Sequence, residues 1–155
     1  MTVIQPCIYY ALTVWGYASQ VNIDKIQRLQ NRAARMVTGN YDFINFRGID
    51  LVKDLGWMNI IQRRNYFICI LMFKAIHGLA PDYIANDITM LREVSTRPTR
   101  SFDSIDVYVP HARLECYKKS FGYIGPKTWN KLPNNIKECQ TLATFKTNLK
   151  AFIIS

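Results

Sequence analysis

Tyr66-Phe67-Ile68-Cys69-Ile70-Leu71-Met72-Phe73 is a nearly unbroken apolar run inside a longer helical stretch, Asn59 to His77, that ends at Gly78. A helix that is hydrophobic on every side has no face to give to water, so this one is expected at the centre of the fold. Arg63 and Arg64 mark its earlier, less buried turn.

Working back towards the N-terminus, Ile49 to Leu55 reads as a short helix closed by Gly56, and Tyr41 to Gly48 as a loop. Before them, a helix is predicted from about Asn22 to Thr38, with Asn22 as N-cap and Gly39 as the stop. At about 100° per residue, Ile26, Leu29, Ala33, Met36 and Val37 fall on one face, predicted to be the buried one. Lys25, Arg28, Arg32 and Arg35, spaced 3, 4 and 3 apart, form a narrow basic stripe on another face. The first helix is predicted over Pro6 to Tyr17, with Pro6 suited to its first turn. So apolar an opening is expected to pack on something upstream.

Working forward, Pro81 starts a short helix through Ile84 and Asp87, and Arg92 to Ser104 is polar and reads as a linker. Ile105 to Val109 and Leu114 to Tyr123 have some strand character, with room for a short hairpin turning at Pro110-His111-Ala112-Arg113. Gly125 to Pro133 predicts a short helix bounded by prolines, and Pro133 to Glu138 a further turn. Leu142, Phe145, Leu149 and Phe152 then make a one-sided stripe on a last helix over Leu142 to Ile153. The expected fold class is mainly α, with a helical domain over 1–90, a linker over 91–104 and a small basic α+β subdomain over 105–155.

Composition narrows the partner rather than the chemistry. Three Trp, nine Tyr and eight Phe are ample for a core in 155 residues. Twenty Lys and Arg against eleven Asp and Glu leave a charge of +9, which favours a polyanionic partner, nucleic acid before an acidic membrane surface. Cys7, Cys69, Cys116 and Cys139 are far apart, without a C-x-x-C pair or a histidine at zinc-ligand spacing. They read as reduced thiols of an intracellular protein, nuclear or cytoplasmic. Residues 1–23 carry no charge, but a signal peptide needs a basic leader, and Gln5, Pro6, Thr13, Ser19 and Gln20 dilute any spanning helix. A buried helix, with no membrane partner, is expected there.

Several strings, in this order, resemble the region that follows the polymerase palm in non-LTR (LINE-type, jockey-like) retrotransposon reverse transcriptases. They are Tyr10-Ala11-Leu12-Thr13-Val14-Trp15-Gly16, the stretch from Ile26 to Gly39, and Leu55-Gly56-Trp57 with Gln62-Arg63-Arg64. Phe73 to Tyr83, Ser120 to Pro133 and Phe145-Lys146 complete the series. The resemblance implies a thumb-like helical bundle over 1–90 that grips a template–primer duplex by its backbone. It also implies a missing upstream polymerase domain, the intact parent being an RNA-directed DNA polymerase. The family's paired polymerase aspartates are absent, and the near-match Tyr41-Asp42-Phe43 lacks the pair. Two-metal nucleotidyl transfer needs carboxylates to hold both ions, so the chain is expected to be no enzyme, with no catalytic residue, metal or cofactor.

Each basic group has two readings. Lys25, Arg28, Arg32 and Arg35 either follow a phosphate backbone or form a solvated helix face. Arg63 and Arg64 either extend that surface or pair with Asp50 or Asp54 at the exposed end of the central helix. Lys118, Lys119, Lys127 and Lys131 interleave with Tyr117, Phe121, Tyr123 and Trp129, either to stack bases or around a small aromatic core. His77 precedes a helix-ending glycine and His111 lies in a turn, with no partner suggesting chemistry. The expected function is non-sequence-specific binding of an RNA or DNA backbone by a reverse transcriptase C-terminal fragment. The alternatives are a helical protein–protein interaction module, its oligomeric state unspecified, or a non-functional retroelement remnant.

Overall fold

The computed structural model describes residues 4–94 and 105–154. The chain is mainly helical, with 64% of the described residues in eleven helices. It divides into two compact units, one made of 1–66 with 151–155 and the other of 67–150. The first boundary between the units falls within the longest apolar helix, between residues 66 and 67. Of the polar stretch expected as a linker, Arg92 to Val94 end a helix and 95–104 lie outside the described residues.

The first unit opens with α1 (Ile4–Tyr9) and α2 (Leu12–Trp15), so the single helix expected over Pro6 to Tyr17 is in fact two. They part at Ala11, whose backbone is left-handed (φ 50°), while the Trp15 indole Nε1–H donates to the Tyr10 carbonyl at 2.6 Å. That bond captures a carbonyl the helix would otherwise have used. Next comes α3 (Gln20–Thr38), which starts after Ser19 rather than Asn22 and stops at Gly39, left-handed at φ 66°. Then α4 (Gly48–Asp54) follows the loop, and Gly56 closes it as expected.

The buried face of α3 differs from the expected one. Ile23, Gln30, Ala33, Ala34 and Arg35 are buried, whereas Leu29, Met36 and Val37 are 54%, 66% and 53% exposed. Polar groups drive the rotation. The chain entering the central helix has backbone atoms to satisfy, and α3 supplies amides for them. Gln30 Nε2 donates to the Met58 carbonyl at 2.8 Å, and the Ile60 N–H donates to Gln27 Oε1 at 2.9 Å. Ala34, Leu51 and Val52 then form a close α3–α4 contact, with Leu55 and Trp57 against it. Gly48 permits the approach, because a Cβ there would stand 2.6 Å from Asn31 Cβ.

The central helix is α5 (Ile60–Ile76). Its Ile68, Cys69, Met72, Phe73 and Ala75 are buried, whereas Tyr66, Phe67, Ile70 and Leu71 are only partly so, which places the core along one side of the helix rather than on every face as expected. Burial pushes the Cys69 thiol up from an ordinary 9.0 to about 12. The second unit adds α6 (Asp82–Ala85), with Pro81 as its N-cap, and α7 (Leu91–Val94). No helix is long and apolar enough to cross a membrane among the described residues.

No hairpin forms over 105–123 among the described residues, which corrects the expected α+β tail. Leu114 to Tyr123 contributes α8 (Glu115–Lys118) and the start of α9 (Phe121–Trp129) instead of a strand. Only Val107 pairs in β fashion, as an isolated antiparallel bridge to Met90. The bridge is bonded through the neighbours Asp106 and Tyr108, and the backbone of Val107 itself is met by a side chain: Asn130 accepts from the Val107 N–H at 3.0 Å and donates to its carbonyl at 2.8 Å. Trp129 Nε1–H donates to the Ile105 carbonyl at 2.8 Å. The helix expected from Gly125 begins earlier, at Phe121, and runs through Pro126, which lacks the N–H that would bond the Gly122 carbonyl. After it come α10 (Asn134–Lys137), behind Pro133, and α11 (Leu142–Ile154). Trp129 and Phe145 are fully buried with ring centroids 5.8 Å apart, and Phe145 stacks on Phe73 at 4.5 Å. Leu149 is buried as well, whereas Phe152 is 46% exposed.

Candidate nucleic-acid interface

The basic stripe of α3 separates into three cations at the surface and one beneath it. Lys25, Arg28 and Arg32 are exposed and form no ion pair among the described residues. Because α3 is rotated, Leu29 and Met36 share this open face with them.

Arg35 departs from the expected row. It is 7% exposed, and its guanidinium donates to the carbonyls of Asn40, Asp42 and Phe46 at 3.4, 3.0 and 2.5 Å. The same group lies 4.3 Å from the centre of the Phe43 ring. Five fixed donors suit one guanidinium to gathering a turn of carbonyls, so Arg35 shapes the 40–46 loop instead of facing solvent. Within that loop the Asp42 carboxylate accepts from Asn45 and from the Ile44 N–H. The Asn45 backbone and side-chain bonds, with that of Ile44, hold its pKa below the usual carboxylate value.

Arg63 and Arg64 are half-buried and engaged locally. Arg63 lies over the Tyr9 and Tyr66 rings at 4.5 and 5.3 Å. Burial raises the Tyr9 phenol, and the Arg63 charge partly opposes this. Arg64 donates to the Gly16 carbonyl at 2.8 Å and lies over the Tyr17 ring at 4.1 Å. Asp50 pairs with Arg47 at 2.9 Å.

In the second unit Lys118 pairs with Glu115 at 2.5 Å, Lys127 reaches the Tyr123 ring at 5.6 Å, and Lys119 and Lys131 are exposed. Trp129 belongs to the core, Phe121 and Tyr123 are half-buried, and Tyr117 is 41% exposed. His77 stacks on Phe73 at 3.9 Å with Nδ1 2.9 Å from the Phe73 carbonyl, and His111 is exposed. No three His, Cys, Asp or Glu side chains gather at metal-binding distances among the described residues.

Two features were passed over in the sequence. One is the buried ion pair of Lys137 and Asp106 at 2.7 Å, whose partners stand 31 positions apart with no periodicity linking them. The other is the aromatic content of the 41–46 loop, where Tyr41 and Phe43 are 61% and 74% exposed. Large rings in a stretch that carries no helical or strand period are a legible signal, because a loop has no core face to receive them. Arg28, Arg32, Arg35, Met36, Tyr41 and Phe43 are among the residues that line a cavity of about 600 Å³ between α3 and this loop. No protein family, curated protein or solved structure was found to match the chain.

Proposed function

We propose that this chain is a non-sequence-specific nucleic-acid-binding module, of the thumb and post-thumb kind found in non-LTR retrotransposon reverse transcriptases, without a catalytic centre of its own. The observation that carries the reading is the row Lys25, Arg28 and Arg32, exposed on one side of α3 and free of acidic partners among the described residues. Successive turns of a helix present such cations at a spacing that follows a phosphate backbone, giving affinity without base reading. The +9 charge adds long-range attraction for the same partner. The resembling strings supply the polyanion such a helix would meet, a template–primer duplex held in a thumb-like bundle. Arg35 is left out of this contact, since it is buried and three of its five donors are held by carbonyls.

The test is salt titration of binding to a labelled RNA–DNA duplex. Each lost phosphate contact lowers the slope of log K against log salt by about 0.9, so Arg28→Ala with Arg32→Ala lowers it by about 2. Binding that ignores salt, or a slope unchanged in the double variant, sinks the reading. A second reading, a protein-interaction module, is favoured by Tyr10 and Val14, which are 80% and 79% exposed on an uncharged segment. In that case Tyr10→Ser with Val14→Ser changes the oligomeric size in sedimentation, and the arginine variants do not.

A further inference from the structure

The cavity between α3 and the 40–46 loop asks for more than a backbone contact. It is lined by two exposed guanidiniums, Arg28 and Arg32, by the buried one of Arg35, and by the exposed rings of Tyr41 and Phe43 with Met36. The volume, about 600 Å³, is that of a small-ligand cleft. The Phe43 ring is held rather than loose. One face lies on the Arg35 guanidinium, which three carbonyls fix in place, so the other face is presented at little ordering cost. Cations that track phosphates beside rings that accept a flat partner are the two components of single-strand recognition. A duplex would use only the first, because its base faces are hidden in the stack. The Asp42 carboxylate, the acidic group of this loop, is turned to the N–H groups of Ile44 and Asn45.

Resting on the nucleic-acid reading above, we propose that this groove takes an unpaired nucleotide, its base stacked on Tyr41 and Phe43 and its flanking phosphates on Arg28 and Arg32. An apolar peptide would also find the rings, but would leave both guanidiniums without a partner, so the charge favours the nucleotide.

The experiment compares, by fluorescence anisotropy with the full chain, three labelled probes: a single strand of about twelve nucleotides, an abasic strand with the same phosphates, and a blunt duplex. The intact strand is expected to bind about tenfold more tightly than the abasic one. Tyr41→Ala should remove most of that tenfold difference and leave abasic and duplex binding unchanged. Tyr41→Leu, checked by thermal melting, gives the same result if alanine disturbs the loop. Tyr41→Trp should add an emission component that the intact strand quenches and the abasic strand does not. Equal binding of intact and abasic strands overturns this inference while leaving the backbone reading standing. Failure of all three probes to bind at low salt overturns both.

Discussion

Arg35 shows how one side chain can carry the same charge as its neighbours and do different work. Its place in the 3–4–3 spacing is that of Arg32 and Arg28, yet it lies where α3 turns towards the loop and is buried under three carbonyls. Charge-assisted hydrogen bonds of this kind are worth about 1.5–3 kcal/mol each, less when long. Arg35→Met is therefore expected to lower unfolding free energy by about 2–3 kcal/mol in urea denaturation, whereas Arg28→Met changes it little. Equal effects at the two positions would contradict the buried geometry. Cys69 gives a second residue-scale expectation. Its thiol pKa is raised by burial to about 12, so it stays protonated at pH 8 and resists alkylation in the folded chain, while exposed Cys7 and Cys116 react. The linked stability is full below the unfolded value of 9.0 and declines as pH rises from there towards 12, because only the unfolded thiol ionises in that window. Mass spectrometry after iodoacetamide treatment, with and without denaturant, checks the first part. Rapid native labelling of Cys69 would refute it.

At the scale of elements, helices with a long apolar signal were legible and short polar clamps were not. The run around Phe67 to Phe73 announced a helix with a buried side, though not which side, and Phe145 with Leu149 declared the inward face of α11. In α3 the apolar count misled, because Gln27 and Gln30 are drawn in by the backbone around Met58 and Ile60, a demand that no period in α3 records. The candidate site was half legible for the same reason: the spacing named Lys25, Arg28 and Arg32, but could not foresee the loop that turns Arg35 inward. The missing hairpin follows the same logic. Ile105 to Val109 is extended, but the partner of Val107 is largely the Asn130 amide, contributed from 23 residues away by the end of α9. That makes Asn130 an element-scale hinge pin. Asn130→Leu leaves the N–H and carbonyl of a buried residue without their side-chain partner, at a cost of about 2–4 kcal/mol. Asn130→Asp restores only the acceptor, so it is expected to lose nearly as much. Hydrogen exchange at the Val107 amide should speed up in Asn130→Leu; protection equal to wild type there would show that this N–H does not depend on the Asn130 side chain.

Over the whole molecule, a charge of +9 sets two responses to salt that run in opposite directions. Like charges repel one another within the folded chain, and salt screens that repulsion, over about 8 Å at 0.15 M. The ion pairs Arg47–Asp50 and Lys118–Glu115 are exposed and contribute little that screening could remove. The Lys137–Asp106 pair is sheltered, with the lysine side chain 3% exposed, so it too is nearly indifferent to salt. Unfolding free energy should therefore rise, by about 1 kcal/mol, between 0.05 and 0.5 M sodium chloride, as measured from urea midpoints. The proposed affinity for a nucleic-acid backbone should fall over that same range, because the counterions released on binding enter a more concentrated solution. The two slopes separate a loss of binding from a loss of folding without any variant. If stability and affinity instead fell together as salt rose, the surface cations would be holding the fold through partners of their own. Lys25, Arg28 and Arg32 would then no longer be available to a phosphate strand.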